Sequence, residues 1–334
     1  MEIEITPKAS RVRTLFQSDA AQRLLAFAGL IVLIIGFSLA SPYFFQVSNI
    51  ITILLATAVN GLLAIGVTFV IITAGIDLSI GTVMTMSAVM TAVVITNWGM
   101  PVPLGVLAGL LTGSLAGLVN GVLIAKLKIP PFIATLGMLN IAKGLALVIS
   151  GVKPIYFDPA LHFENIATGS LLNLQAIIPK FSIPNAVLIM FGMAIIASFV
   201  LTRTVLGRYT FALGSNEEAT RLSGVNVDSW KMAVYTVSGL LAGLAGVVLA
   251  SRLTSAQPAT GQGYELDAIA AAVIGGTSLS GGEGTILGTM IGAFIISVLN
   301  NGLRILAVPQ EWQTVVTGAI VILAVYLDII RRRK

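Results

Sequence analysis

The residue types that carry covalent catalysis are scarce in this chain. It has no cysteine, which excludes thiol chemistry and a cysteine-based metal site. Its single histidine, His162, lies in a polar loop, so no Ser/His/Asp set is expected. No Gly-x4-Gly-Lys-Ser/Thr phosphate loop occurs, and Gly282–Gly288 lacks the spacing of a dinucleotide-binding loop. We therefore expect no catalytic residue, no metal site and no cofactor bound by this chain.

The remaining polar residues indicate solute handling. Ile72–Gly81 (ITAGIDLSIG) resembles Val273–Gly282 (VIGGTSLSGG), and a Gly-Thr pair follows each, at 81–82 and 284–285. Two Gly-interrupted polar breaks at corresponding places indicate discontinuous helices, which commonly line a substrate path. Tight turns near the cytoplasmic side are the alternative. The candidates for the substrate path are Asp77, Ser79, Asn120, Asn140, Lys143, Ser278 and Ser280.

Two of the charged residues within the apolar part, Lys143 and Asp77, have a second interpretation. Lys143, with Asn140 one turn below it, either donates to a polar solute or extends its amine to the outer interface. Asp77 either faces solute or caps the apolar segment that follows it. Glu265 and Asp267 are expected to open a helix at the outer interface, where the helix dipole accounts for them.

Composition defines the fold class. The 334 residues are 56% hydrophobic and 10% charged, whereas a soluble domain has about 25% charged residues. Apolar runs long enough to cross a bilayer predict an all-α, polytopic membrane protein with about ten transmembrane helices, some of them Gly-interrupted. The ten segments are 24–40, 49–73, 79–97, 103–125, 131–150, 184–202, 231–253, 265–278, 284–304 and 311–330.

Basic residues predict the orientation. If both termini are cytoplasmic, fourteen lysines and arginines fall inside and four outside, with Lys143 within a helix. The domains are then a cytoplasmic segment 1–23, one transmembrane domain 24–330 and a basic cytoplasmic tail 331–334. The inner residues are Lys8, Arg11, Arg13, Arg23, Lys126, Lys128, Arg203, Arg208, Arg221, Lys231, Arg331, Arg332, Arg333 and Lys334, and the outer ones are Lys153, Lys180, Arg252 and Arg304.

Glycines repeat every four residues in two segments. This spacing puts them on one helix face, where a neighbouring backbone can approach closely. The pattern therefore predicts helix packing and carries no information about the solute. The repeats are Gly109, Gly113, Gly117 and Gly121, and Gly284, Gly288 and Gly292.

A polar stretch, 203–230, lies between two long apolar segments. Asn216 is a predicted helix N-cap, and Glu217 and Glu218 in the first turn suit the positive end of the helix dipole. Gly224 then ends the helix. A membrane protein with one charged, ordered, cytoplasm-facing helix either presents it to a partner or uses it as a solvated connector.

Several stretches along nearly the whole chain resemble the membrane-spanning permease subunit of binding-protein-dependent ABC importers for ribose and related sugars. Lys143 stands where that family usually has an arginine. The stretches are Thr73–Gly81 (TAGIDLSIG), Gly117–Ile124 (GLVNGVLI), Pro131–Gly137 (PFIATLG), Gly214–Gly224 (GSNEEATRLSG), Gly263–Ala270 (GYELDAIA) and Gly275–Gly282 (GGTSLSGG).

The resemblance implies a coupling helix within the loop 203–230 that docks on an ATP-binding cassette ATPase. Its residues would be Gly214, Asn216, Glu217, Glu218, Ala219, Arg221, Ser223 and Gly224. ATP and Mg would be bound by that partner. The resemblance also implies a periplasmic sugar-binding protein, a second permease copy in a homodimer or pseudo-dimer, surrounding membrane lipid, no nucleic acid, and a bacterial inner membrane.

A pentose such as ribose is the favoured solute, with another sugar, a polyol, a quorum-signal sugar or a nucleoside as alternatives in the same superfamily. An ion-coupled secondary carrier is the rival from a different class. Such carriers usually bury paired ionisable groups, and here only Lys143 is plainly in mid-helix. A membrane enzyme is third, since no catalytic constellation is present.

Overall fold

The chain folds into a bundle of helices, and the computed structural model describes residues 19–173 and 182–332. The predicted segment up to residue 18, Lys180, and Arg333 and Lys334 lie outside the described residues. The helices are α1 (Asp19–Ala40), α2 (Val47–Ile72), α3 (Ile80–Ala92, continued by a π-helical turn Val93–Asn97), α4 (Val102–Ala125), α5 (Pro131–Ser150), α6 (Asn185–Arg203), α7 (Val205–Ser215), α8 (Glu217–Leu222), α9 (Val227–Leu253), α10 (Tyr264–Ile274), α11 (Ile286–Ile305) and α12 (Gln310–Arg332).

Strands are confined to two short antiparallel ladders. In one, β1 (Ile155–Tyr156) pairs with β4 (Ser255–Ala256), and in the other β2 (Leu172–Asn173) pairs with β3 (Ser182–Ile183). Two 3-10 turns, Pro159–Leu161 and Phe163–Ile166, lie between β1 and β2. The all-α prediction is therefore confirmed.

Seven helices in the described part of the chain are long and apolar enough to cross a membrane: α2, α3 with its π-helical turn, α4, α5, α6, α9 and α11. The polytopic prediction is confirmed, but the count of ten is not. The predicted segment 265–278 contains only α10, whose 11 residues rise about 16 Å. That is roughly half of the hydrocarbon thickness of about 30 Å.

The centre of the bundle is formed by α2, α3 and α9, which are mostly buried. Helix α4 packs along α9 and α3, α10 and α11 pack on α2, and α5 packs on α3. The interior helices are apolar on all sides, which is typical of helices that are surrounded by other helices. The buried polar residues of the described chain are mostly serines and threonines, with Asp77 and Glu265 as the buried acids.

The glycine repeat of α4 lies at its contact with α9. A β-carbon on Gly113 would overlap the carbonyl oxygen of Gly239, and one on Gly117 would overlap that of Tyr235. At Gly121 the added carbon would lie 2.7 Å from the Cα atom of Met232. The two backbones can approach this closely only because side chains are absent.

The second repeat packs α11 against the segment before it. A β-carbon on Gly288 would overlap the carbonyl oxygen of Gly275, and one on Gly292 would overlap that of Ala271. At Gly284 it would lie 2.8 Å from the Cγ1 atom of Ile72, at the end of α2.

The first break (residues 73–79) is not a tight turn at the end of the bundle. After α2 ends at Ile72, the chain turns back into the bundle, and Asp77 reaches Ser238 of α9. Ser238 lies about 16 Å along α9 from Val227, at ~1.5 Å per residue. Helix α3 therefore begins in the interior, deeper than the sequence leads us to expect.

Replacing Gly113 by alanine tests the α4–α9 contact. The added methyl group would overlap the Gly239 carbonyl, and overpacking of this kind typically costs about 1–3 kcal/mol. We expect a lower melting temperature of the purified protein in detergent. Gly192→Ala in α6 is the matched control, because no atom lies within 4 Å of the added carbon. Equal melting temperatures for both variants would contradict the packing described here.

Candidate functional site

A buried carboxylate organises the first break. Asp77 is 1% exposed, and its Oδ1 atom accepts hydrogen bonds from the Ser79 backbone N–H (3.0 Å) and hydroxyl (2.6 Å). Its Oδ2 atom accepts from the Ser238 hydroxyl at 3.2 Å. The Asn120 side-chain amide of α4 donates to the Ser79 hydroxyl at 3.0 Å. Three of the predicted substrate-path residues, Asp77, Ser79 and Asn120, therefore lie together.

These bonds explain how the carboxylate is tolerated in the core. A buried charge is costly unless it is hydrogen-bonded, and Asp77 receives three bonds from the protein. Tyr235 of α9 adds a fourth tie to the same break by donating to the Ile76 carbonyl at 3.3 Å. Asp77 is linked to α4 through Ser79 and Asn120, and to α9 through Ser238. It also accepts a hydrogen bond from the backbone N–H of Ser79, the residue that precedes α3.

The second break (residues 275–285) is organised by Ser278. This residue is fully buried, its hydroxyl accepts from the Ser280 N–H at 3.1 Å, and its carbonyl accepts from the Gly281 N–H at 3.0 Å. Gly281 and Gly282 have φ of 83° and 76°, which favours glycine. Ser280 is exposed.

The two breaks meet each other next to α8. The Gly282 N–H donates to the Ile72 carbonyl at 2.9 Å. Gly214, at the end of α7, is in such close contact with that carbonyl that an added β-carbon would overlap it. A β-carbon on Gly281 would lie 2.9 Å from the Gly214 carbonyl oxygen. The residue that leads into α8 thus touches both discontinuous segments.

The polar stretch 203–230 contains two helices, α7 and α8. As predicted, Asn216 is the N-cap of α8, and its Oδ1 atom accepts from the Ala219 N–H at 2.8 Å. Gly224 follows the helix with φ of 83°. The Ser223 hydroxyl donates a hydrogen bond to the Ala219 carbonyl at 2.9 Å, so this short helix is capped at both ends.

Ion pairs attach α8 to α9, and α9 to the α4–α5 connection. Glu217 bonds the Lys231 amine at 2.6 Å and Arg221 at 3.4 Å. Asp228 bonds Arg221 and Lys128, each at 2.9 Å. Burial opposes ionisation of Glu217, yet hydrogen bonds from Lys231 and Arg221 hold the pKa of its carboxyl below the ordinary value. The Glu217 carboxyl is therefore ionised at neutral pH.

The opposite side of α8 is open. Glu218, Ala219 and Leu222 are exposed, and Leu222 is exposed to 83%. This side of α8 is therefore accessible from outside the chain.

A cavity of about 430 Å³ lies between α8 and the first break. The tight Gly214 contact therefore adjoins a loosely filled space. The cavity is lined by Thr73, Ala74, Gly75, Ile124, Pro131, Leu213, Gly214, Ser215, Asn216, Glu217, Lys231 and Tyr235.

Asn140 and Lys143 do not join the Asp77 group in the described part of the chain. Helix α5 buries one face, formed by Ala134, Met138, Ala142 and Ala146. Asn140 lies on the exposed face and donates to the carbonyl of Leu136, in its own helix, at 3.0 Å. Lys143 is half-buried.

Polar residues of α2, α10 and α11 were not among the sequence candidates. Glu265 and Asp267 do open α10, but they lie inside the bundle. The Glu265 Oε1 atom accepts from the Gly263 N–H at 3.1 Å, and its Oε2 atom lies 2.6 Å from where a β-carbon of Gly81 would be. Asn60 of α2 is also buried. A sequence signal existed, because amide and carboxylate side chains interrupt otherwise apolar segments.

A polytopic helical bundle with two discontinuous segments is an architecture found in many membrane transport proteins. Residues 49–325 match the family model described as the permease component of the branched-chain amino acid transport system, and the chain belongs to this family. The resemblance found in the sequence is confirmed.

Individual relatives match over most of their length. The chain is 43% identical over 306 residues to the ribose import permease protein of Haemophilus influenzae, covering 91% of this chain and 92% of that protein. It is 44% identical over 308 residues to the ribose import permease protein of Bacillus subtilis, covering 92% of each. Identity to the fructose import permease protein of Rhizobium meliloti is 38% over 290 residues, 85% of this chain and 79% of that protein. No solved structure matches the chain.

A double-mutant cycle tests the Asp77 group. Asp77→Ala leaves Ser79 and Ser238 without their acceptor, and an unsatisfied buried group costs about 1–3 kcal/mol. We expect a clearly lower melting temperature for Asp77→Ala and a smaller decrease for Ser238→Ala. Because the two residues are in contact, the double variant should lose less than the sum.

Asp158→Ala is the control, since its exposed carboxylate caps only a short 3-10 turn. Its effect should add to that of Asp77→Ala. Strict additivity between Asp77→Ala and Ser238→Ala would show that the bond between them contributes nothing to stability.

Proposed function

We propose that this chain is the membrane-spanning subunit of an ATP-driven importer that translocates a monosaccharide, with a pentose such as ribose favoured. The observation that carries the proposal is the similarity to proteins named as ribose import permeases, at 43–44% identity over more than nine-tenths of both chains. Another sugar, a polyol or a nucleoside remains within the chemistry of the same class.

A branched-chain amino acid is the second candidate solute, and the description of the family supports it. The relatives compared above favour a sugar, since they are named for ribose and fructose. Uptake competition between the two solute classes separates these candidates.

The proposed setting is a bacterial inner membrane with both termini in the cytoplasm. The excess of lysine and arginine on one side of the predicted topology supports this orientation. Helix α8 would then face the cytoplasm, and the connection between α5 and α6 would face the periplasm, where a sugar-binding protein delivers the solute. A second copy of the chain would complete the path.

In the proposed mechanism, the exposed face of α8 docks on an ATP-binding cassette ATPase that binds ATP and Mg, while this chain binds no cofactor. The ion pairs of Glu217 and Asp228 make α8 move together with α9. The Gly214 contact passes such a movement to both breaks, and Asp77 passes it to α4. ATP binding on the partner would thereby shift the balance between inward- and outward-facing states.

Reconstitution tests the proposal. Proteoliposomes that contain this chain, its ATPase and its sugar-binding protein should accumulate labelled ribose only with ATP. An excess of unlabelled ribose should abolish uptake of the label, and an excess of leucine should not. Accumulation driven by a proton gradient without ATP would instead support a secondary carrier, and competition by leucine would support the second candidate.

Glu218→Lys tests the docking surface. Glu218 is exposed, whereas the Glu217 carboxylate is bonded to Lys231 within the chain, so a change at 218 leaves the internal network intact. Desolvated charge pairs across an interface couple by about 1.5 kcal/mol or more, which is roughly tenfold in affinity. We therefore expect weaker co-purification of the ATPase and an unchanged melting temperature of the isolated chain.

Glu164→Lys, the same charge reversal between β1 and β2, is the control and should bind the ATPase normally. Wild-type stoichiometry and turnover in the Glu218→Lys complex would show that α8 is not the docking surface.

A further inference from the structure

A second polar group lies in the bundle, apart from Asp77 and α8. The Asp267 carboxylate of α10 accepts from the Asn300 side-chain amide of α11 at 3.1 Å. Asn60 of α2 lies close to the same carboxylate. The Thr317 hydroxyl of α12 donates to the side-chain amide oxygen of Asn300 at 3.4 Å. Four helices therefore contribute to this group, which we call the Asp267 cluster (Asn60, Asp267, Asn300 and Thr317).

The Asp267 cluster lies at mid-depth and has one open side. Asn60 is near the midpoint of α2, is 5% exposed, and its Oδ1 atom has no hydrogen-bond partner among the described residues. Asp267, Asn300 and Thr317 are only half-buried. A carboxylate turned toward hydrocarbon is expensive, so the open side of the cluster must face water or a polar molecule.

Two cations and a phenol lie near the start of α10. Arg252, at the end of α9, and Arg304, at the end of α11, are within electrostatic reach of Tyr264 and of each other. In the described ranges neither arginine forms a salt bridge with a carboxylate. Their donors are therefore available to a molecule that approaches the Asp267 cluster.

This set of groups matches the hydrogen-bonding needs of a polyhydroxylated molecule. Each sugar hydroxyl is both a donor and an acceptor. The half-buried Asp267 carboxylate accepts from hydroxyls, while the amide of Asn300 and the nearby guanidinium groups donate to them. Asp267 accepts a single hydrogen bond from Asn300, so lone pairs of its carboxylate remain for a solute hydroxyl.

We propose that the Asp267 cluster is a transient binding site for a polyhydroxylated solute inside the permease. This inference rests on the proposed function and adds the residues that hold the solute in transit. It also separates two roles: Asp77 ties helices together, and Asp267 contacts solute.

The chain has no cysteine, so Thr317→Cys places a single thiol beside the cluster and keeps Asn60, Asp267 and Asn300. The assembled complex in proteoliposomes is treated with a charged methanethiosulfonate reagent. Turnover with ribose, its binding protein and ATP should slow modification of the thiol severalfold compared with the same mixture without ribose. Ser170→Cys, on the exposed connection before β2, is the control and should react at the same rate in both mixtures.

Asp267→Asn provides a functional measurement. Loss of a hydrogen bond to a charged group should lower ribose uptake by about tenfold or more, while the loaded binding protein still stimulates ATP hydrolysis. Asp158→Asn, the same change at an exposed carboxylate, should leave uptake unaltered.

Two outcomes would overturn the site. One is a ribose-transporting complex in which Thr317→Cys reacts at the same rate with and without ribose. The other is wild-type uptake by Asp267→Asn. If Asp267→Asn fails to assemble, the Thr317→Cys measurement decides alone, because that variant keeps Asn60, Asp267 and Asn300. Failure of the wild-type complex to transport ribose would count against the proposed function and is distinguishable from both.

Discussion

The burial of one carboxylate is the constraint on which the arrangement of the bundle depends. Asp77 is accommodated only because Ser79 and Ser238 donate to it, and Ser79 is in turn held by Asn120. Asn120 comes from α4 and Ser238 from α9, so these helices must approach each other closely. The glycines of α4 allow that approach. Glycine packing and the polar centre are therefore two parts of one requirement.

Much of the fold follows from the sequence, because a backbone in lipid must satisfy its own hydrogen bonds and long apolar segments can do so only as helices. The N-cap at Asn216 is equally local, since its partner Ala219 is three residues away. The glycines of the second break mark the end of α10 locally, whereas the depth of the first break depends on contacts between distant segments, which no local pattern encodes. The Asp267 cluster combines four separate helices for the same reason. The position of Asn140 was predictable in principle, because Ala134, Met138, Ala142 and Ala146 mark the buried face of α5 at four-residue spacing.

The residues of α8 differ in their contacts. Glu217 and Arg221 form ion pairs within the chain, and the pair of Arg221 with Asp228 of α9 holds the helix on α9. Glu218 and Leu222 are exposed and do not form these pairs. A short helix of this kind would be unstable in isolation, and its rigidity comes from the ion pairs behind it.

The joint between the breaks consists of main-chain atoms: the Gly282 N–H, the Ile72 carbonyl and the backbone of Gly214. Selection on side chains elsewhere in the bundle therefore leaves it untouched. Under the proposed function, residues that line the solute path can diverge toward a different solute, while the contact between α8 and the two breaks keeps its geometry. One scaffold could then serve many nutrients, because mutations that change the solute and mutations that change the coupling to ATP would fall on separate parts of the molecule.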